Sequence, residues 1–157
     1  MNLATLLFMK SLCDSETQKE IRERLGCVKP DSPRQWGRMS AHQMICHLND
    51  SFRVAAGEKY ASPATSFWTR TVIKWAALHT PVRWPQGVAT RPEVEQGRGG
   101  TPPRDWERDR EELRALILAF ANRTEFGVHP IFGKMSRRDW MIWGYRHVDH
   151  HLRQFGA

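Results

Sequence analysis

"GRMSAHQM" (residues 37–44) and "GKMSRRDW" (residues 133–140) read as two uses of one helix-opening device. In each, a serine is followed three residues later by a side chain that can reach back, Ser40 by Gln43 and Ser136 by Asp139. This is the capping-box spacing. The serine oxygen accepts from an orphan backbone N–H of the first turn, and the later side chain accepts from the N–H of the serine itself. Met39 with Met44, and Met135 with Trp140, stand where a hydrophobic staple closes over such a cap. The likeness stops after these eight residues, so it marks a shared way of starting a helix and not a duplicated unit.

Two fixed starts fix two helical phases. From Ser40, the inward stripe of the first of these helices is Met44, His47, Leu48, Ser51, Phe52 and Ala55, and Gly57 ends it. From Ser136, the large apolar residues of the second fall on Trp140, Trp143 or Gly144, His147, His151, and Gln154 or Phe155. Upstream, "DSETQKEIRERLG" predicts a helix over 14–25 with cap residues at its start and Gly26 at its end. Downstream, Trp106, Leu113, Leu116, Ile117 and Phe120 mark the apolar face of a helix over 103–123. Residues 58–101 are the least regular part. A shorter amphipathic helix is predicted over 67–79, stopped by Pro81, followed by a long Pro- and Gly-rich connection. Strand periodicity is nearly absent. The expectation is one all-α domain over 1–157, a four-helix bundle with a long irregular crossover in its middle.

Composition narrows the class. The chain of 157 residues suits a single core, and seven tryptophans suggest that large aromatics build it. No apolar run approaches the ~20 residues needed to span a bilayer. "MNLATLLFMK" lacks a basic n-region and a cleavage site, so it is expected to pack as a short N-terminal segment and not to act as a signal peptide. Cys13, Cys27 and Cys46 show no metal-type pairing, and an odd number argues against a disulfide scaffold. Buried, inert thiols in a cytoplasmic protein are expected. The net charge of +7 permits an anionic partner, but the arginines are scattered and form no nucleic-acid motif, so no nucleic-acid binding is expected.

The charge of chemical interest is in the histidines. "YRHVDHHLRQF" (residues 145–155) places His147 and His151 four apart on one helical face, with His150 on its flank. His47 lies on the inward stripe of the other helix. Three imidazoles from two helices then converge in one core. Burying them is costly unless each is satisfied, which a shared metal ion or a hydrogen-bonded polar core would do. The residues alone leave both open. His42 lies on a different face and is expected to meet solvent, His79 to sit at a helix end, and His129 to shape the loop before the last helix.

"DSPRQWGRMSAHQMICHLNDSF", "HPIFGKMSRRDW" and "YRHVDHHLRQFG" together resemble the DinB-like (YfiT-like) superfamily of metal-dependent four-helix bundles, in an uncharacterised branch. The resemblance covers most of the chain and is weakest over 61–101. It implies a divalent-metal site, zinc or nickel, on one histidine of the second helix and two, four apart, on the last, which match His47, His147 and His151. It also implies thiol-dependent transferase or hydrolase chemistry on a small molecule, with a low-molecular-weight thiol as co-substrate, and a homodimer.

Around that site Asp50, one turn after His47, is a candidate outer partner for a ligand's second nitrogen. Asp50 and His150 are the candidate catalytic groups, with Glu58 a remoter general base. Gln154 is placed to orient His151, and Asp149 reads as an ordinary polar residue. A non-catalytic reading stands beside the enzyme: a metal- or ligand-binding bundle that acts through protein partners. "SFWTRTVIKWAALHTPVRW" (residues 66–84) also fits a membrane-surface helix. Phe67, Trp68, Val72, Trp75 and Ala76 are instead expected to cover the bundle or a dimer interface, with no stable membrane association.

Overall fold

The structure, a computed structural model, describes residues 9–157. The expected packing of the N-terminal segment therefore lies mostly outside the described residues. Helix α1 (Ser15–Cys27) is capped by Asp14, whose carboxylate accepts from the Thr17 backbone N–H at 2.9 Å. It runs one residue beyond the expected stop, because Gly26 keeps helical geometry and the turn comes at Val28, two residues before Pro30. Helix α2 (Ala41–Ala56) starts at the predicted capping box, with both of its hydrogen bonds present. It ends at Gly57, which takes the left-handed conformation and donates back into the last turn.

Helix α3 (Lys74–His79) continues a π-helical stretch, Thr69–Ile73, so residues 67–79 are helical throughout. A single 3₁₀ turn, Pro92–Val94, interrupts the connection that follows. Helix α4 (Trp106–Asn122) begins later than predicted, because Asp105 supplies the cap by accepting from the Arg108 N–H. Helix α5 (Arg137–Gln154) opens on the second predicted capping box, again with both bonds present.

The molecule is all-α over the described residues, apart from an isolated bridge between His129 and Gly133. Helix α2 packs chiefly on α4 and helix α1 on α5, around one core. Ile21 and Leu25 come from α1, Met44, Leu48 and Phe52 from α2, Leu113, Ile117 and Phe120 from α4, and Trp140, Trp143 and Leu152 from α5. Aromatic rings hold its centre. Phe120 lies 4.9 Å from Phe52 and 6.1 Å from Trp143, and Trp140 lies 5.2 Å from Trp143. Gly144 lets α5 come this close: a Cβ there would stand 2.7 Å from a Phe120 ring carbon and 2.8 Å from Leu12. All six residues of the predicted inward stripe of α2 are buried.

Of the two roles expected for the 67–79 face, bundle or dimer interface, the first is not the one it takes. Phe67, Trp68, Val72 and Trp75 do not cover the bundle: they are 65%, 62%, 54% and 50% exposed. The helix instead rests on the core through Leu78, Ala77 and the tie of His79 to Asp139 at 2.9 Å. The cysteines also divide. Cys46 is buried, whereas Cys13 and Cys27, on either end of α1, are exposed because neither lies on the Ile21–Leu25 stripe.

Candidate metal centre

The last two turns of α5 carry His147 and His151, and α2 brings His47 across to them. The ring centroids lie 5.4 Å apart for His47 and His147, 4.8 Å for His47 and His151, and 4.9 Å for His147 and His151. One potential ligand atom from each lies within 4.8 Å of the other two. His47 and His151 are buried, and His147 keeps partial exposure at the rim.

The outward hydrogen bonds decide which nitrogen faces the centre. His47 donates from Nδ1 to the carbonyl of Val94 at 2.9 Å, so its Nε2 is the unprotonated, inward nitrogen. His151 Nδ1 meets the Gln154 carbonyl oxygen at 3.1 Å, and Gln154 in turn donates from Nε2 to the Trp36 carbonyl at 2.8 Å. The predicted orienting role of Gln154 is thus present, and the loop before α2 holds Gln154 in place. Gly37 makes room for it: with φ at +81°, it leaves open a position where a Cβ would stand 2.3 Å from Gln154 Nε2. His147 differs. Its Nδ1 is buried and has no hydrogen-bond partner.

Electrostatics favour neutral rings. Burial holds His47, His147 and His151 below the ordinary imidazole range, with mutual repulsion a further cause for the latter two. A neutral imidazole keeps a free lone pair, which a metal ion requires. Two oriented inward lone pairs, on His47 and His151, and a third neutral imidazole beside them form a set of donors that could hold a divalent ion.

The other predicted residues fall into place as follows. Asp50 is fully buried but does not take a ligand's second nitrogen, because Val94 fills that role for His47. It accepts instead from the Thr101 N–H and hydroxyl, both at 2.7 Å, and pairs with Lys59 at 2.8 Å. It therefore acts one step removed, pinning the far end of the crossover loop whose Val94 carbonyl orients His47. Glu58 pairs with Arg123 at the surface. His150 flanks the centre, its ring 5.2 Å from His151, between Trp36 at 5.9 Å and Trp84 at 6.2 Å. Its Nδ1 is also buried without a partner, and burial lowers its proton affinity. Asp149 ties α1 to α5 through Arg24 at 2.9 Å.

His42 lies on a different face and keeps contact with solvent, as expected, but it is also engaged. It forms a 2.8 Å contact with Asp109 and packs edge-on against Trp106. Cys46, on the same side of α2, donates to the same carboxylate, and burial beside it pushes the thiol up to about 12. His129 is buried, as its loop role requires. It accepts from the N–H groups of Ile131 and Phe132 on Nδ1.

Sequence reasoning missed Trp84 and Val94. Trp84 covers His147 at 6.0 Å, and the Arg146 guanidinium lies over the Trp84 ring while reaching the carbonyls of Thr80 and Val82. Both missed residues lie in the irregular crossover, where no periodicity marks a partner. A tryptophan between two prolines in a polar stretch was the available signal for Trp84.

Fold and site together define an all-α protein with a buried three-histidine cluster able to hold a metal ion. The chain belongs to the family described as protein of unknown function DUF1569, whose model matches residues 16–157. Comparison with curated proteins and with solved structures gave no match. No helix among the described residues is long and apolar enough to cross a membrane.

Proposed function

We propose that His47, His147 and His151 hold one divalent metal ion, zinc or nickel, and that the protein is a metal-dependent enzyme of the DinB-like four-helix-bundle type. The observation that carries this reading is the direction of the hydrogen bonds. His47 and His151 spend their outer nitrogens on Val94 and Gln154, which leaves their other nitrogens as lone pairs close to His147. Three protein ligands are also the number found at reactive sites, since structural zinc sites are usually closed by four.

When bound, a divalent ion supplies Lewis acidity at its open position, enough to acidify a water or a thiol toward neutral pH. The surrounding residues define what can approach. Trp36 and Trp84 wall the rim on either side of His150 and limit water at the centre. His150, neutral through burial and with an unpartnered Nδ1 beside the centre, would be the group placed to act as general base there. Asp50 is saturated by its own partners, which leaves His150 as the candidate catalytic group. Thiol transfer to a small molecule, with hydrolysis second, is the chemistry that the DinB-like reading implies for such a site.

The test is elemental analysis of tag-free protein beside a His147→Ala/His151→Ala variant. About one divalent ion per chain, absent from the variant, is expected. Protein that stays metal-free after incubation with zinc and nickel ions would mean a polar core and end the enzyme reading. Given a metal, thiol-transfer and hydrolase substrates are then compared between wild type and His150→Ala.

A further inference from the structure

The helical segment over 67–79 presents the largest anomaly outside the metal centre. Phe67, Trp68, Val72, Ile73 and Trp75 are between 47% and 65% exposed within nine residues. Scattered exposed apolar residues are normal, but a contiguous aromatic patch marks an interaction surface. The π-helical stretch contributes to it. Closing a turn with five residues places Ile73 over Trp68, where an α-turn would rotate it away. π-Turns of this kind are frequent at functional sites.

The charge around the patch says what it meets. Residues 59–92 contain no Asp or Glu and five Lys or Arg. Lys59 is neutralised by Asp50 and Arg91 is turned inward to Ser62. Arg70 and Lys74 lie one turn apart and donate to the carbonyl oxygens of Ser66 and Lys134, not to carboxylates. Lys134, exposed, adds a third cation where Lys74 reaches over. A second copy of the chain docking symmetrically would set these cations against their own equivalents, which is unfavourable. An anionic surface that also accepts buried aromatic rings satisfies both halves of the patch. Tryptophan and phenylalanine on one side of a helix with lysine and arginine beside them is the arrangement of a helix lying in a membrane interface.

We propose that the 67–79 helix docks the protein reversibly on anionic lipid, with Phe67, Trp68, Val72 and Trp75 entering the interface and Arg70, Lys74 and Lys134 meeting the headgroups. This departs from the expectation formed from sequence, which had these residues covered. It is independent of the metal reading, because no residue of the patch belongs to the histidine cluster.

The experiment is co-sedimentation with vesicles of phosphatidylcholine mixed with phosphatidylserine, against phosphatidylcholine alone, at low and at physiological salt. Binding is expected only to the mixed vesicles, weakening as salt rises. Trp68→Ala and Trp75→Ala should each weaken it about tenfold, and Arg70→Glu/Lys74→Glu should abolish it. An Arg22→Glu/Arg34→Glu variant, charged away from the patch, should bind as wild type. Thermal melts should match wild type for all variants, since the substituted side chains are exposed or, for Lys74, half-buried, and none belongs to the core. No binding to mixed vesicles at low salt would overturn the proposal. So would equal loss in the Arg22→Glu/Arg34→Glu variant, which would reduce the effect to net charge. A wild-type dimer in sedimentation velocity that Trp68→Ala/Trp75→Ala dissociates would assign the patch to a second copy instead.

Discussion

Helix α2 carries two polar clusters on different faces, and they are built from similar residues. One joins His47 to His147 and His151, the other joins His42 and Cys46 to Asp109. In both, the potential ligand atoms lie within 4.8 Å of one another. They differ in where their hydrogen bonds go. In the second cluster they run inward: Asp109 accepts from Cys46 and from the Arg104 N–H and pairs with His42, so the carboxylate satisfies its neighbours. In the first they run outward, to Val94 and Gln154, and His47 and His151 are left with unprotonated nitrogens toward the centre. Proximity of ligand-type residues is therefore a poor guide to a metal site. What distinguishes one is a shortage of protons at its centre.

Four experiments would break or sharpen this contrast. The largest effect is expected from the ligands themselves. His47→Ala, His147→Ala or His151→Ala should each weaken metal binding more than ~10²-fold in competition with a chromophoric chelator, since loss of an outer partner alone is worth about 10–100-fold. His42→Ala and Cys46→Ala should leave it unchanged, and equal weakening in all five variants would erase the distinction between the clusters. Chelator comes next. Stripping a site held at about a hundred times its Kd removes about 2.7 kcal/mol, a fall of several degrees in Tm. His42→Ala should keep that response, and His151→Ala should lose it.

The third is the pH dependence of the metal-free protein. His47, His147 and His151 have folded-state proton affinities below their unfolded value, and burial lowers His129 to about 3. Below about pH 6.5 the unfolded chain binds more protons at these sites than the native one. Their contribution is therefore fully present above that pH and lost as pH falls below it. Urea midpoints should drop between pH 7 and pH 5, and drop less in His147→Ala/His151→Ala. A flat profile would mean these rings are already solvated.

The smallest effect is chemical. Cys13 and Cys27 should react with an aromatic disulfide at pH 8, while Cys46, with its thiol pushed up to about 12 and bonded to Asp109, should react only on unfolding. Fast reaction of all three thiols would mean that the inward-bonded cluster opens in solution.

The helices and the convergence of His47, His147 and His151 were legible in the chain because local chemistry wrote them. Two capping boxes set the phase of α2 and α5, and an i, i+4 pair on a known face can point only one way. The outer partners were not legible. Asp50 had the right spacing from His47, but that spacing says nothing about Thr101 and Lys59, which claim its carboxylate from 51 and 9 residues away. Val94 contributes a backbone carbonyl, and any residue type supplies one. Periodicity marked the aromatic face over 67–79 correctly as a face, but it cannot tell a face turned to the core from one turned outward.

One hundred residues separate His47 from His147, and the Val94 carbonyl that orients His47 comes from near the middle of that interval. Closing so long a loop costs entropy that only the rest of the core can offset. During synthesis α2 emerges well before α5, so His47 waits without its partners until the last helix has docked. The centre is therefore a late product of folding. A chain truncated before residue 147 would keep most of its helical sequence and lose the site entirely, so bound metal would report completion of the fold.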